Sequence, residues 1–220
     1  MSSPSLSKLI KLTSQVNGAD KVFRSAVYLL KLYCWHLQKQ GKKDLLSKLT
    51  KIASSFNDTR VHFRLFGLLS TIEYFPRKAP TSIDEWFELI QAASMLVYYP
   101  AEHVYWLSNH GLTSVKSEST INAISRMSCQ AWALYIIIEI VKICKSFNAL
   151  LHEELSQKGN ICDLHEKKRE LSIRLASQVC DLVLAFHWSL KSSPISPFWI
   201  GCCGSISSLI GLVNTMKRVK

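Results

Sequence analysis

Apolar positions recur at helical spacing along most of this chain. From Gly18 to about Gln40, Phe23, Val27, Leu30, Cys34 and Leu37 share one stripe, and Lys21, Arg24, Lys31 and Lys39 fall off it, which predicts an amphipathic helix. Asn17 and Asp20 give its start signals and Gly41 its stop. A second helix is predicted from Lys42 to Phe75. Leu45, Leu49, Ile52, Phe56, Phe63 and Phe66 lie along one face, Leu46, Ala53, Leu65 and Leu69 widen it, and Lys48, Lys51, Arg60 and Arg64 sit outside its centre. The run Pro76-Arg77-Lys78-Ala79-Pro80 then breaks the pattern.

Residues 81–108 return to helical spacing, but Asp84, Glu85, Glu88 and Glu102 argue against a full membrane span. The aromatic cluster Tyr98, Tyr99, Tyr105 and Trp106 suits a membrane interface or a packed core equally. Residues 109–126 read as a loop or short helix. Met127 to Cys144 is Ile-rich with a single acid, Glu139, whose charge would cost about 2.5–3.5 kcal/mol at mid-bilayer. That stretch can span only if Glu139 faces another helix. Residues 145–174 are the most polar and predict a solvated linker or hairpin.

The C-terminal region divides at Ser192, Ser193, Pro194 and Pro197. Ala176 to Leu190 contains Asp181 and is short for a span, whereas Ile195 to Val213 is uncharged and long enough to cross the hydrocarbon. Within it Gly201, Gly204, Ser208 and Gly211, with Ser205 and Ser207, give small residues at four-residue spacing, which lets helix backbones approach closely in lipid. Lys217, Arg218 and Lys220 follow it, and by the positive-inside bias they place the C-terminus in the cytosol.

Charge sharpens this picture. Of the net charge of +11, +10 lies in residues 1–80, with fourteen Lys/Arg against four Asp/Glu, while residues 192–216 carry no charged side chain. A basic amphipathic end and a charge-free end suit an anionic leaflet and its hydrocarbon respectively. The predicted class is all-α: a helical membrane protein with N-terminal basic amphipathic helices and a C-terminal membrane-spanning hairpin or helix. Its expected divisions are a basic amphipathic region over 1–80, an aromatic-rich helix and loop over 81–126, a helical region with possible membrane segments over 127–193, a transmembrane helix over 194–216 and a basic tail over 217–220.

Seven cysteines show neither paired C-x-x-C spacing nor the density of a disulfide scaffold, and read as thiols in a reducing compartment. Lys8 and Lys11 interrupt the N-terminal apolar run, so no secretory h-region is present, and the Ser-rich basic start resembles a mitochondrial presequence only faintly. The end Arg218-Val219-Lys220 is not a peroxisomal matrix address. No catalytic, cofactor or metal site is expected. His152-Glu153-Glu154 and His165-Glu166 lack a second zincin histidine, Cys162 and His165 lack a second ligand pair, and Gly201-Cys202-Cys203-Gly204 is neither a P-loop nor a dinucleotide fingerprint.

The Lys42 to Phe75 helix has two readings. It is a surface helix of a bundle, or an interfacial helix lying in the headgroup plane. The membrane-binding set expected on the second reading is Leu45, Lys48, Leu49, Lys51, Ile52, Phe56, Arg60, Phe63, Arg64 and Phe66. Two rivals use the same segments differently. A metabolite pore would line a polar path with Glu139 and Asp181, and a soluble nucleic-acid binder would use the basic N-terminus on phosphates. The uncharged C-terminal run argues against nucleic acid as a partner.

Gly18-x-Asp20-Lys21-x-x-Arg24-x-x-x-Tyr28, followed by Arg60-x-x-Phe63-Arg64-Leu65, resembles the N-terminal signature of the peroxin-eleven family of peroxisomal membrane proteins. Gly201-x-x-Gly204-x-x-Ser207-Ser208-Leu209-Ile210-Gly211-Leu212 is similar to that family's C-terminal block, and Tyr99-Pro100-x-Glu102-His103-x-x-Trp106-Leu107 to the middle of divergent members. The resemblance implies a helical protein of the peroxisomal membrane that promotes elongation and proliferation of the organelle ahead of fission. It also implies cytosol-facing termini, self-association as homo-oligomers and recruitment of the peroxisomal fission machinery, while anionic phospholipids are the partner that the basic amphipathic helices themselves predict. In the mechanism expected from these features, the second helix wedges into the cytosolic leaflet and expands it over a length of about 50 Å.

Overall fold

A computed structural model describes residues 4–156 and 161–218. These form seven α-helices: α1 (Pro4–Thr13), α2 (Val16–Lys39), α3 (Lys43–Glu73), α4 (Ile83–Asn109), α5 (Glu118–Leu155), α6 (Ile161–Ser189) and α7 (Pro197–Arg218). No strand occurs among the described residues, so the all-α class stands. The helices begin and stop where local chemistry dictates. Gly41 and Gly111, both at φ 71°, end α2 and α4. In each case the residue after the glycine donates its N–H five residues back, Lys42 to Leu37 O at 3.2 Å and Leu112 to Leu107 O at 2.9 Å. The glycine itself donates three residues back, completing a left-handed C-cap that a side chain at that φ would strain. Ser82 caps α4 by accepting the Glu85 N–H, and Glu85 reaches back to the Thr81 N–H.

Helices α2 to α7 form a closed ring. Each packs on its neighbours in chain order, and α7 returns to α2. Every adjacent pair is antiparallel. Phe23 of α2 meets both Phe56 and Phe63 of α3, Gly67 and Arg64 of α3 meet Tyr99 and Glu102 of α4, and Gln91 of α4 meets Glu139 of α5. Trp132 of α5 stacks on Trp188 of α6 at 6.4 Å between centroids. With six antiparallel members, the start of α2 and the end of α7 lie at the same end of the ring, and α1 packs there against both.

The ring closes where α7 has almost no side chains. Gly201 faces the Leu32 backbone, where a Cβ would lie 3.1 Å from Leu32 Cα, and a Cβ on Gly204 would overlap the Tyr28 ring. Tyr28, Leu184 and Ile200 form the buried cluster at this seam, with Trp132, Trp188, Ile195 and Cys203 around it. The opposite side of α7 presents Trp199, Ile206, Leu209, Val213 and Met216 outward. Among the described residues α7 is the one helix long and apolar enough to cross a membrane.

Two expectations change. The polar stretch 145–174 is not a linker: α5 runs on to Leu155 and α6 starts at Ile161. Long helices with one wet side carry many charges and resemble loops in composition. The centre of that stretch, 157–160, and Lys220 lie outside the described residues. The loop or short helix expected over 109–126 is a loop as far as Ser117, beyond which the residues belong to the 38-residue α5.

The α2–α7 seam predicts unequal effects at two glycines. Gly204→Ala should destabilise the full chain by about 1–3 kcal/mol through overpacking against Tyr28. At Gly211 an added Cβ would meet only Lys21 Cδ at 3.6 Å, so Gly211→Ala should be neutral or stabilise by up to about 1 kcal/mol. Thermal unfolding in neutral detergent distinguishes the two.

Candidate functional site

The interior of the ring is polar. A cavity of about 1050 Å³ is lined by Asp20, Lys21, Arg24, Tyr28 and Lys31 of α2, Arg60 and Arg64 of α3, Tyr98 and Glu102 of α4, Ser128 and Trp132 of α5, and Asp181 and Trp188 of α6, among others. The three lining carboxylates each hold an arginine from another helix. Arg60 Nε donates to Asp20 Oδ1 at 3.0 Å, Arg64 Nε to Glu102 Oε2 at 2.6 Å, and Arg24 to Asp181. The Tyr98 hydroxyl adds a hydrogen bond to Glu102 Oε1 at 3.0 Å, and Arg24 also donates to Ser207 Oγ of α7 at 3.2 Å. These pairs are largely buried, with Arg60 only 7% exposed. Breaking one therefore costs far more than breaking a surface pair.

The interior field shows in the titrations. Burial raises the Asp20 carboxyl, but Arg60, Lys21, Arg64 and Arg24 outweigh it and hold the group below its ordinary value. Burial would weaken the Arg64 guanidinium's hold on its proton, yet Tyr98, Glu102 and Asp20 reverse this. Lys31 has no carboxylate beside it, and burial with the charge of Arg60 pushes it down to about 8. Its ammonium lies over the Tyr28 and Trp188 rings at 5.3 and 5.1 Å.

The expected membrane-binding residues separate in space. Phe56 and Phe63 pack on Phe23 of α2, with centroids at 5.1 and 5.9 Å, and Leu49 is half-buried. Arg60 and Arg64, expected at the edge of a lipid-facing stripe, instead turn into the interior to meet Asp20 and Glu102. Leu45, Lys48, Lys51, Ile52 and Phe66 remain exposed. The first half of α3 thus exposes both basic and apolar side chains, at Leu45, Lys48, Lys51 and Ile52, and its second half is apolar on the outside at Leu65, Leu69 and Ile72, while Phe66 also lines the cavity. One face of a helical wheel held the residues that pack on α2, and the residues left outside are a different set.

The small residues of α7 also have an assigned neighbour. Gly201, Gly204 and Ser208 are buried, the two glycines against α2 of the same chain, whereas Gly211 lies beside the Lys21 stem. The close helix neighbour that this spacing predicts is, at the two glycines, α2 of the same chain. Glu139 faces other helices, as a membrane-compatible acid must. It accepts from Gln91 Nε2 at 3.1 Å and pairs with Arg174 of α6, outside the cavity lining. Of the three interior carboxylates, Asp181 is the one expected on a polar path, whereas Asp20 enters the sequence reading only as a helix start and Glu102 as an argument against a span, both also within the family-like motifs. Isolated acids inside basic or apolar helical runs were the available signal.

The interior pairs predict a steep local hierarchy. Arg64→Ala leaves the Glu102 carboxylate with the Tyr98 hydroxyl but no cation and should cost about 3–5 kcal/mol. Lys48→Ala removes an exposed pair with Asp44 and should cost at most about 0.5 kcal/mol. Both are read by denaturant unfolding in neutral detergent. Because the folded Asp20 value lies below its ordinary 3.8, its stabilisation is complete above that value and is lost as pH falls through the folded one. Stability should therefore fall below about pH 4, and Asp20→Asn, weaker at neutral pH, should show a flatter acid limb.

A family model described as peroxisomal biogenesis factor 11 (PEX11) matches residues 6–216. The chain is 23% identical to peroxisomal membrane protein 11C of Mus musculus over 96% of its own length and 95% of that protein's. It is 24% identical to peroxisomal membrane protein 11C of Homo sapiens, over 97% and 95%. To the peroxisomal membrane protein 11 homolog of Dictyostelium discoideum it is 26% identical, over 94% and 92%. No solved structure matches the chain. A helical ring with a charged interior and, among the described residues, one helix long and apolar enough to cross a bilayer, matched along nearly its whole length by these proteins, belongs to the peroxisomal biogenesis factor 11 family, and the chain is a protein of the peroxisomal membrane.

Proposed function

We propose that this chain remodels the peroxisomal membrane, elongating it ahead of fission. The observation that carries this reading is the outer side of α3, where the exposed apolar positions Leu65, Leu69 and Ile72 follow the exposed basic positions Lys48 and Lys51 along one helix. Soluble monomers rarely expose a contiguous apolar patch with nothing to cover it. Lipid would cover this one, with the lysines at the level of anionic headgroups, each contributing about 1 kcal/mol. An apolar patch inserted from one side enlarges one leaflet alone and bends the bilayer. In this reading α7 anchors the chain, anionic phospholipids are its immediate partners, further copies concentrate the effect, and the fission machinery acts on the elongated membrane. No chemical transformation of a substrate is part of this activity.

A second reading, a metabolite pore, is favoured by one observation: the polar cavity inside a closed ring, which Asp181 lines and Glu139 does not. Conductance of the full chain in planar bilayers, altered by Arg64→Ala, would support it.

The remodelling test uses full chain reconstituted into vesicles containing anionic phospholipid. Leu65→Glu with Leu69→Glu places two carboxylates on the exposed patch without touching the interior pairs or α7. The parent should draw tubules from the vesicles and the variant should remain inserted but leave them round, because burying unpaired carboxylates is strongly unfavourable. Equal tubulation by both proteins would remove α3 from the mechanism, and its absence with the parent would leave the pore reading.

A further inference from the structure

We infer that the end of the ring opposite α1 binds a monocarboxylate with an apolar body, its head on Lys31 and Asn57 and its body in a second cavity along α2 and α3. This cavity, of about 630 Å³, lies where the end of α2 and the start of α3 meet the end of α6 and the start of α7. Its size is that of a small-molecule site. Lys31, Asn57 and Trp188 line both this cavity and the interior one, so they stand together at the junction. Their contacts agree. Lys31 Nζ lies 5.1 Å from the Trp188 ring centroid, Arg60 Nη1 donates to Asn57 Oδ1 at 3.5 Å, and Arg60 is the charge that acts on Lys31.

The junction has donors and no anion. Arg60 is paired with Asp20, but no carboxylate acts on Lys31, and its ammonium makes no hydrogen bond or ion pair among the described residues. The Tyr28 and Trp188 rings offset part of its charge without supplying a counter-ion. Asn57 gives its carbonyl oxygen to Arg60, which leaves its amide nitrogen to donate elsewhere. A carboxylate has one oxygen for the ammonium and one for the amide. Among the described residues Lys31 is the one Lys, Arg, Asp or Glu that lines the second cavity, and a single cation matches a monoanion rather than a phosphate monoester of charge about −1.5 to −2. Beyond this head the walls turn apolar. Positions 31, 34, 35 and 38 share a face of α2, positions 46, 50, 53 and 57 share a face of α3, and Thr50 Oγ1 lies 4.0 Å from Cys34 Sγ across them. The stretch from Lys31 to Gln38 is roughly 10 Å of helix. Trp35, Leu46 and Ala53 line it, with Pro197 and Ile200 of α7, so a body leaving the junction meets apolar surface along this groove. The inference is independent of how α3 meets the membrane.

The test is thermal unfolding of the full chain in neutral detergent, titrated with sodium octanoate against sodium chloride at matched ionic strength. Octanol supplies the same body without the head. Octanoate should raise Tm saturably, beyond both chloride and octanol. Lys31→Gln should weaken the apparent affinity on the order of tenfold or more, whereas Lys31→Arg, which keeps the charge, should retain most of it. Thr50→Trp fills the groove from an exposed position and should weaken binding with Lys31 still in place. Lys116→Gln removes the same charge from an exposed loop and should leave the response unchanged. Octanoate acting no better than chloride, octanol acting as well as octanoate, or a response that survives in both Lys31→Gln and Thr50→Trp overturns the inference. Stabilisation by octyl phosphate where octanoate gives none overturns the carboxylate assignment.

Discussion

The approach of α7 to α2 is the contact on which the fold depends. Six helices in antiparallel sequence make an open curved array unless the last can lie against the first, and bulky side chains on both would hold them apart. Gly201 and Gly204 give up their side chains to Leu32 and Tyr28, so the seam relies on close van der Waals packing. That choice suits lipid, where apolar surface gains nothing by hiding from a solvent as apolar as itself and packing density decides which helices meet.

Closing the ring creates a second constraint, an interior that cannot be wholly apolar. Asp20, Glu102 and Asp181 each come from a different helix and each meets an arginine from another. The three pairs tie α2 to α3, α3 to α4 and α2 to α6. Meanwhile large apolar side chains face out on α3, α5, α6 and α7. The chain thus combines charge pairs lining its interior cavity with a perimeter on which apolar side chains and charges alternate from helix to helix.

Much of the helical order was readable from spacing. The stripe from Gly18 to Gln40 became Val16–Lys39, the span from Lys42 to Phe75 became Lys43–Glu73, and the break at Ser192 to Pro197 lies between α6 and α7. Glycine stops and a serine start are local chemistry, and local chemistry is what a linear pattern records. The facing of α3 was not readable. Arg60 finds its carboxylate 40 positions away and Arg64 finds its own 38 away, so a helical wheel shows both as solvent-seeking charges. Likewise the spacing of Gly201, Gly204 and Ser208 announces a close helix neighbour but not which one. Only the return of α7 to α2 identifies it.

The link between Arg24 and Asp181 joins positions 157 residues apart, and this gives the chain a direction in time. A growing polypeptide emerges with its N-terminal helices first, so the arginine, lysines and tyrosine of α2 exist long before α6 and α7 are made. Until then the half-ring has a cationic inner wall with no roof, and its most remote contacts are the slowest to find. Closure is thus a property of the finished chain. Synthesis and assembly are separate events for this protein, and the interval between them is when its inner charges are open to whatever surrounds it.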